Sequence, residues 1–203
     1  GYFQTENGAT FTPDILSRFD AVVFNNVSGD VFTPDQRKAF EAYVSNGGGF
    51  VGIHAAGDNS HEAWGWYANQ MIGARFTMHT MKPQFQEARV QLEDLSHPAL
   101  AGLPSSGWKR TEEWYSFASS PRSRGYGVLM TVDERSYNPV GLFGKDLRMG
   151  SDHPVIWWHC MGRGRVLYSA LGHRAEAFAE PEYSLLLANA VSWAARRSGN
   201  QCD

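Results

Sequence analysis

Gly47-Gly-Gly-Phe-Val-Gly-Ile-His-Ala-Ala-Gly-Asp58 decides how the rest of the chain is read. The glycines close a helix, and residues 50–53 make a short apolar run of the kind that forms a strand buried on both faces. Such a strand belongs inside an open α/β sheet, where ligands bind beyond the carboxyl ends of the strands. His54 follows the run at once and so stands at that rim. Asp58 lies just beyond it, and Gly52 and Gly57 leave room for a sharp turn. A histidine in this place either takes part in chemistry or caps a strand–turn junction.

Upstream, Thr12-Pro13-Asp14 opens a short helix, and residues 21–25 (Ala-Val-Val-Phe-Asn) read as a buried strand ending on polar Asn25 and Asn26. Thr33-Pro-Asp-Gln36 is a capping box, followed by an apolar face of Ala39, Phe40, Tyr43 and Val44. Residues 21–53 are therefore one strand–helix–strand unit, normally right-handed and parallel. Downstream, residues 62–71 read as a helix with Trp64 inward, closed by Gly73. Residues 88–93 and 128–132 read as strands, and the glycine-rich stretch 139–152 as a long loop. Met161-Gly-Arg-Gly164 turns strand 155–160 back into strand 165–170, an antiparallel hairpin. The clearest helix is 181–196, with Tyr183, Leu186, Leu187, Ala190, Val191 and Ala194 at helical spacing. No repeat or linker divides the chain, so residues 1–203 are read as one domain.

Composition narrows the function. The 203 residues are 42% apolar and 19% charged, with a formal net charge of −3 and no basic run. That gives no reason to expect nucleic acid or an anionic membrane as partner. No apolar stretch reaches the roughly 18 residues of a membrane span. No signal peptide is visible, yet Gly1-Tyr-Phe-Gln reads as the middle of something, so a cytoplasmic and an exported protein both fit. The two cysteines, Cys160 and Cys202, do not make a disulfide framework, and without a CxxC there is no zinc ribbon; Cys160 is expected to pack as a small hydrophobe. The seven tryptophans suit either a core or a surface that stacks sugar rings.

The hairpin brings the candidates together. Residues before its first strand lie beside residues after its second, so Asp152 and His153 are expected near His173, and His173 near His54. Glu112-Glu113-Trp114-Tyr115 is an irregular aromatic segment that could fold over them, with His79 as a further wall. Burial among aromatics would raise a carboxylate and make Glu113 a usable acid or base. The blander reading of Glu112 and Glu113 is a solvated face; His97 and His153 could be turns, and His61 and His159 exposed or core-satisfied. On the functional reading His54, His173 and Glu113 are catalytic, and Tyr115, Trp114, Asp58, Trp64, Asp152, His153 and His79 bind substrate. A divalent metal such as zinc could be held by some of the four histidines with Asp152 or Glu113, although no compact ligand motif such as HExxH is present.

Gly48-Gly-Phe-Val-Gly-Ile-His54, Arg75-Phe with His79, Glu112-Glu-Trp-Tyr-Ser-Phe117, Met149-Gly-Ser-Asp-His-Pro154 and Gly162-Arg-Gly-Arg-Val-Leu-Tyr-Ser-Ala-Leu-Gly-His173 resemble, in order, the ThuA-like (trehalose utilisation) family. The resemblance covers nearly the whole chain. It implies a flavodoxin-like, class I glutamine amidotransferase-like fold: an open, mainly parallel sheet with a C-terminal antiparallel hairpin. In the amidotransferases the place of His54 is a nucleophilic cysteine and that of His173 the catalytic histidine. The cysteine is missing here, which rules out a thioester mechanism, and the His-x-Glu pattern is altered, with Ala175 and then Glu176. The family's usual first β–α unit is missing, so either the fragment is incomplete or a neighbouring chain, as in a homo-oligomer, covers the edge strand. The resemblance implies sugar metabolism: an enzyme, hydrolase or lyase, acting on a disaccharide or keto-glycoside. The alternative is a non-catalytic sugar-binding module.

Overall fold

The structure, a computed structural model, describes residues 4–6, 8–199 and 202; Gly1, Tyr2 and Phe3 of the interior-looking start lie outside them. Among the described residues the strands are β1 (Ala21–Asn25), β2 (Gly49–Ile53), β3 (Phe76–His79), β4 (Phe85–Leu92), β5 (Trp108–Glu113), β6 (Tyr115–Phe117), β7 (Gly127–Val132), β8 (Pro154–Met161) and β9 (Gly164–Ser169). The helices are α1 (Pro13–Leu16), α2 (Pro34–Ser45) and α3 (Pro181–Ala194). A seven-stranded sheet runs β1-β2-β9-β8-β7-β4-β5, and β3 and β6 form a small antiparallel sheet of their own. The expected α/β fold is present, with β2 an inner strand buried at every residue. Its parallel part is β1, β2 and β9; the antiparallel part extends past the expected hairpin through β8, β7, β4 and β5.

Local signals account for the parallel half. Thr33 caps α2 as read, its N–H donating to Gln36 Oε1 at 2.8 Å. Phe40 of α2 meets Phe50 of β2 edge-on, ring centroids 5.7 Å apart, within an aromatic cluster that includes Phe24, Trp64 and Tyr67. On the other face Gly49 lies so close to Ala194 of α3 that a Cβ would stand 2.2 Å from its carbonyl oxygen. β2 is thus clamped between two helices, and its carboxyl end is fixed. The helix read at 62–71 begins later and finishes as a π-helix, Tyr67–Ile72, capped by left-handed Gly73.

The cysteine reading is corrected. Cys160 is exposed on β8 and joined to Cys202 in a disulfide spanning 42 residues. The pairing depends on the path of the tail after α3, which Arg165 draws back by donating to the carbonyls of Trp193 at 3.0 Å and Ser198 at 2.9 Å. Among the described residues no helix is long and apolar enough to cross a membrane.

His97 caps the turn Pro98–Leu100 by accepting from the Ala99 N–H at 3.2 Å, packed between Trp158 and Trp193. Burial pulls its pKa down from 6.5 to about 4; the Asp94 charge opposes this and that of Arg165 adds to it. The folded value lies below the unfolded one, so the stability this neutral imidazole contributes is full above 6.5 and is lost as pH falls towards and through 4. Denaturation followed across that range should show a loss of up to about 3 kcal/mol that disappears in His97→Asn. An equal slope in that variant would remove His97 as its cause.

Candidate functional site

His54 ends β2 in a left-handed backbone conformation, φ 51°, opening the turn His54–Gly57. A sharp strand-to-turn elbow of this kind presents its side chain at the rim of an α/β sheet. Tyr168 of β9 fixes the elbow by donating from its hydroxyl to the His54 carbonyl at 2.8 Å. Gly57 ends the turn where a Cβ would collide with the Tyr168 ring at 2.4 Å.

The His54 side chain is fully buried. Its Nδ1 lies 2.8 Å from the Ala170 carbonyl, to which it can only donate. Its Nε2 lies 3.0 Å from Glu113 Oε2 and 2.9 Å from His173 Nδ1, and those two atoms are 3.5 Å apart. Gln84 Nε2 donates to the other Glu113 oxygen, which also lies 3.3 Å from His79 Nδ1. Burial alone would push the Glu113 carboxyl up. The hydrogen bonds from His54 and Gln84 and the proximity of His79 and His54 outweigh it, holding Glu113 below the ordinary glutamate range. The acid-raising burial read from the sequence is therefore reversed, and Glu113 is an anion.

Without an ion, the close contacts of the triangle of His54, Glu113 and His173 depend on a proton shared between atoms. If His54 is neutral, its proton is on Nδ1 and the bare Nε2 faces a carboxylate. If it is charged, its single Nε2 proton serves one of two neighbours. A divalent cation satisfies all three, and edges of 2.9–3.5 Å suit donors sharing one ion at roughly 2.0–2.2 Å. These three residues form a group able to hold a metal ion, with all ligand atoms within 4.8 Å of one another. Two imidazoles and a carboxylate are a fitting donor set for zinc or a similar ion.

Glu112, the neighbour of Glu113, has a different job. It is completely buried and accepts from Arg110 at 2.9 Å, from the Gly172 N–H at 2.8 Å and from the His173 N–H at 3.3 Å. It therefore holds the loop that carries His173. Asn26 grips the same loop by donating to the Gly172 carbonyl at 2.9 Å. Gly172 has φ 103°, and a Cβ there would press on Ile53 and Tyr183 at 2.8 and 2.7 Å.

The other predicted residues divide. Tyr115 lies against His54, ring centroids 4.1 Å apart, and Phe76 packs on Tyr115 at 4.4 Å. Burial, with the charges of Glu113, Asp58 and Glu112, pushes the Tyr115 phenol up, so it stays protonated. His153 does not join His173: its ring nitrogens lie 2.7 Å from Glu134 Oε1 and 2.8 Å from the Tyr115 carbonyl, so it meets the site through Tyr115. Asp152 pairs with Arg122 at 3.0 Å. Trp114 is buried with its indole N–H donating to the Gln86 carbonyl at 2.8 Å, and Trp64 is buried with its own on Glu41 at 2.8 Å. Both rings belong to the core. Asp58 caps the turn Asn59–His61. His61 and His159 are buried and bonded to the Val27 and Met71 carbonyls. Gln84 and the Ala170 carbonyl were missed; a lone glutamine and a backbone oxygen leave no sequence signal.

The sequence profile of the trehalose utilisation family, ThuA, matches residues 3–194. The chain belongs to the ThuA family. A protein of Bacteroides uniformis ATCC 8492 described as ThuA-like is 31% identical; the match covers 94% of this chain and 75% of that one, with a TM-score of 0.77. A second such protein, from Parabacteroides merdae ATCC 43184, is 20% identical over 92% and 74% of the two chains, TM-score 0.66. The cold-adapted β-galactosidase of Rahnella sp. R3 shares the fold over 89% of this ThuA chain and 23% of its own, at 15% identity and TM-score 0.52. Among curated proteins none matches. Family membership places the chain in carbohydrate metabolism.

Proposed function

We propose that this ThuA chain is a metal-dependent enzyme, a hydrolase or lyase acting on a disaccharide or keto-glycoside at the His54 elbow. The convergence of His54 Nε2, Glu113 Oε2 and His173 Nδ1 on one point carries the reading. Those three residues would hold the ion, which would supply Lewis acidity toward a substrate carbonyl or hydroxyl. The Ala170 carbonyl fixes the His54 tautomer and ring orientation, as second-shell acceptors do for ligating imidazoles.

His79 is the proton-transfer group. Its Nδ1 lies between the Thr80 carbonyl at 3.0 Å and Glu113 Oε1 at 3.3 Å, so the ring proton sits there. With the proton on Nδ1 alone, the ring keeps a lone pair on Nε2, which makes no hydrogen bond among the described residues and is free to take a proton from substrate. Tyr115, held protonated, is a donor for a sugar hydroxyl or a developing oxyanion.

The test is metal analysis of the purified chain, with calorimetric titration of zinc and manganese and turnover of disaccharides and their keto forms. About one ion per chain and metal-dependent turnover are expected. Because protons compete for the same ligands, occupancy should fall with acid. Turnover by a stably metal-free protein would refute the metal, and sugar binding without turnover would return the chain to a recognition module.

A further inference from the structure

Beside the elbow is a cleft of about 260 Å³ that the chemistry above does not use. Gly57 and Asp58, at the end of the His54 turn, form one wall, and Arg75 and Phe76, entering β3, form another. Asn69, exposed on the π-helix, lines the cleft, and π-helical turns recur at functional sites. Phe76 connects the cleft to the site, since its ring lies 4.4 Å from Tyr115, which in turn lies 4.1 Å from His54.

We propose that this cleft is the subsite for an uncharged glycosyl ring of the substrate, an inference that rests on the carbohydrate reading of the site. Three observations point to a neutral ring. The cleft is smaller than the roughly 300–1,000 Å³ usual for drug-sized ligands, which suits a single sugar unit. Its lining mixes apolar groups and committed polar ones with two uncommitted amides beside an aromatic face: the Asn59 and Asn69 side chains make no hydrogen bond among the described residues, and Phe76 is half-buried. Its charge is unsuited to an anion. Arg75 is matched by Glu62 at 3.6 Å, leaving the Asp58 carboxylate as the excess charge. Asp58 keeps one oxygen for Ser60, while the other has, among the described residues, only the Ser28 hydroxyl at 3.3 Å and can accept from a sugar. The amides of Asn59 and Asn69 supply donors, and the Phe76 ring receives the apolar face of the sugar. A phosphorylated or carboxylated sugar would meet Asp58 unpaired.

The test is calorimetric titration of the metal-loaded chain with trehalose, maltose, lactose and glucose, and with glucose 6-phosphate as the anionic probe. At least one neutral sugar should bind, and glucose 6-phosphate should bind at least tenfold more weakly than glucose. Phe76→Ala should weaken the neutral sugar by about 10- to 100-fold. Asn69→Ala, at an exposed position that guards against misfolding, should weaken it by about 3- to 10-fold. Metal content per chain should be unchanged in both. Sugar affinity unchanged in both variants, tighter binding of the phosphorylated sugar, or no binding of any neutral sugar would each overturn the subsite. Failure of the metal reading looks different, because it removes the ion from the wild-type chain while the sugar response of the two variants persists.

Discussion

His173→Ala is expected to lower the affinity for a divalent ion by at least about 10²-fold, since even outer-shell substitutions at metal sites cost 10- to 100-fold. Turnover should fall with occupancy. The His173 side chain is 39% exposed, so the metal-free variant should unfold within about 0.5 kcal/mol of wild type. His54→Ala is the less informative experiment, although the sequence makes it the obvious one. The fully buried imidazole would leave a cavity and an orphaned Ala170 carbonyl, destabilising the fold by about 2–4 kcal/mol. Calorimetric metal titration of His173→Ala, read beside its thermal midpoint, separates ligand loss from unfolding. Wild-type metal affinity in this variant would dismantle the proposed centre.

The second large effect is at Glu112. Glu112→Ala removes the nearer of two carboxylate partners of Arg110, whose guanidinium is completely buried over Tyr183, 4.2 Å from its centroid, and leaves Glu180 at 3.6 Å. A buried charge left with only this longer contact costs up to about 3–5 kcal/mol, which for a chain of this size should lower the thermal midpoint by up to about 10 °C. Glu113→Gln, one residue away, should behave differently: the ion is lost, and the midpoint measured without metal moves far less than in Glu112→Ala, because an amide keeps the shape of the carboxylate. The two midpoints and the two metal contents together form the measurement. If Glu112→Ala melts like wild type, the scaffold role assigned to it is wrong.

That contrast marks how far the sequence was legible. The run at residues 50–53, the capping box at Thr33 and the turn at 161–164 act within a few residues, so β2, α2 and the hairpin could be read directly. His54 and His173 followed from strand ends and turn geometry. Which glutamate did what could not be read, because neighbours on a strand point to opposite faces and the environment of each face is assembled from distant segments. The small sheet was equally hidden: His79 pairs with Tyr115, and no local pattern encodes a partner so remote. The tryptophans misled for a related reason. Trp64 and Trp114 have the composition of a sugar platform, but their indole N–H groups found acceptors inside the protein.

The disulfide has a consequence for how the protein is made. Thiols stay reduced in a typical cytosol and pair in oxidising compartments, so one gene yields two covalent species according to where the chain matures. Only the oxidised one ties Cys202, and with it the tail, to β8. The carbonyls that satisfy buried Arg165, those of Trp193, Ser198 and Gly199, lie on the stretch leading to that tie. Material prepared from a periplasm and from a cytosol would thus differ in how firmly residues 193–199 close over a buried cation, before any ligand is added.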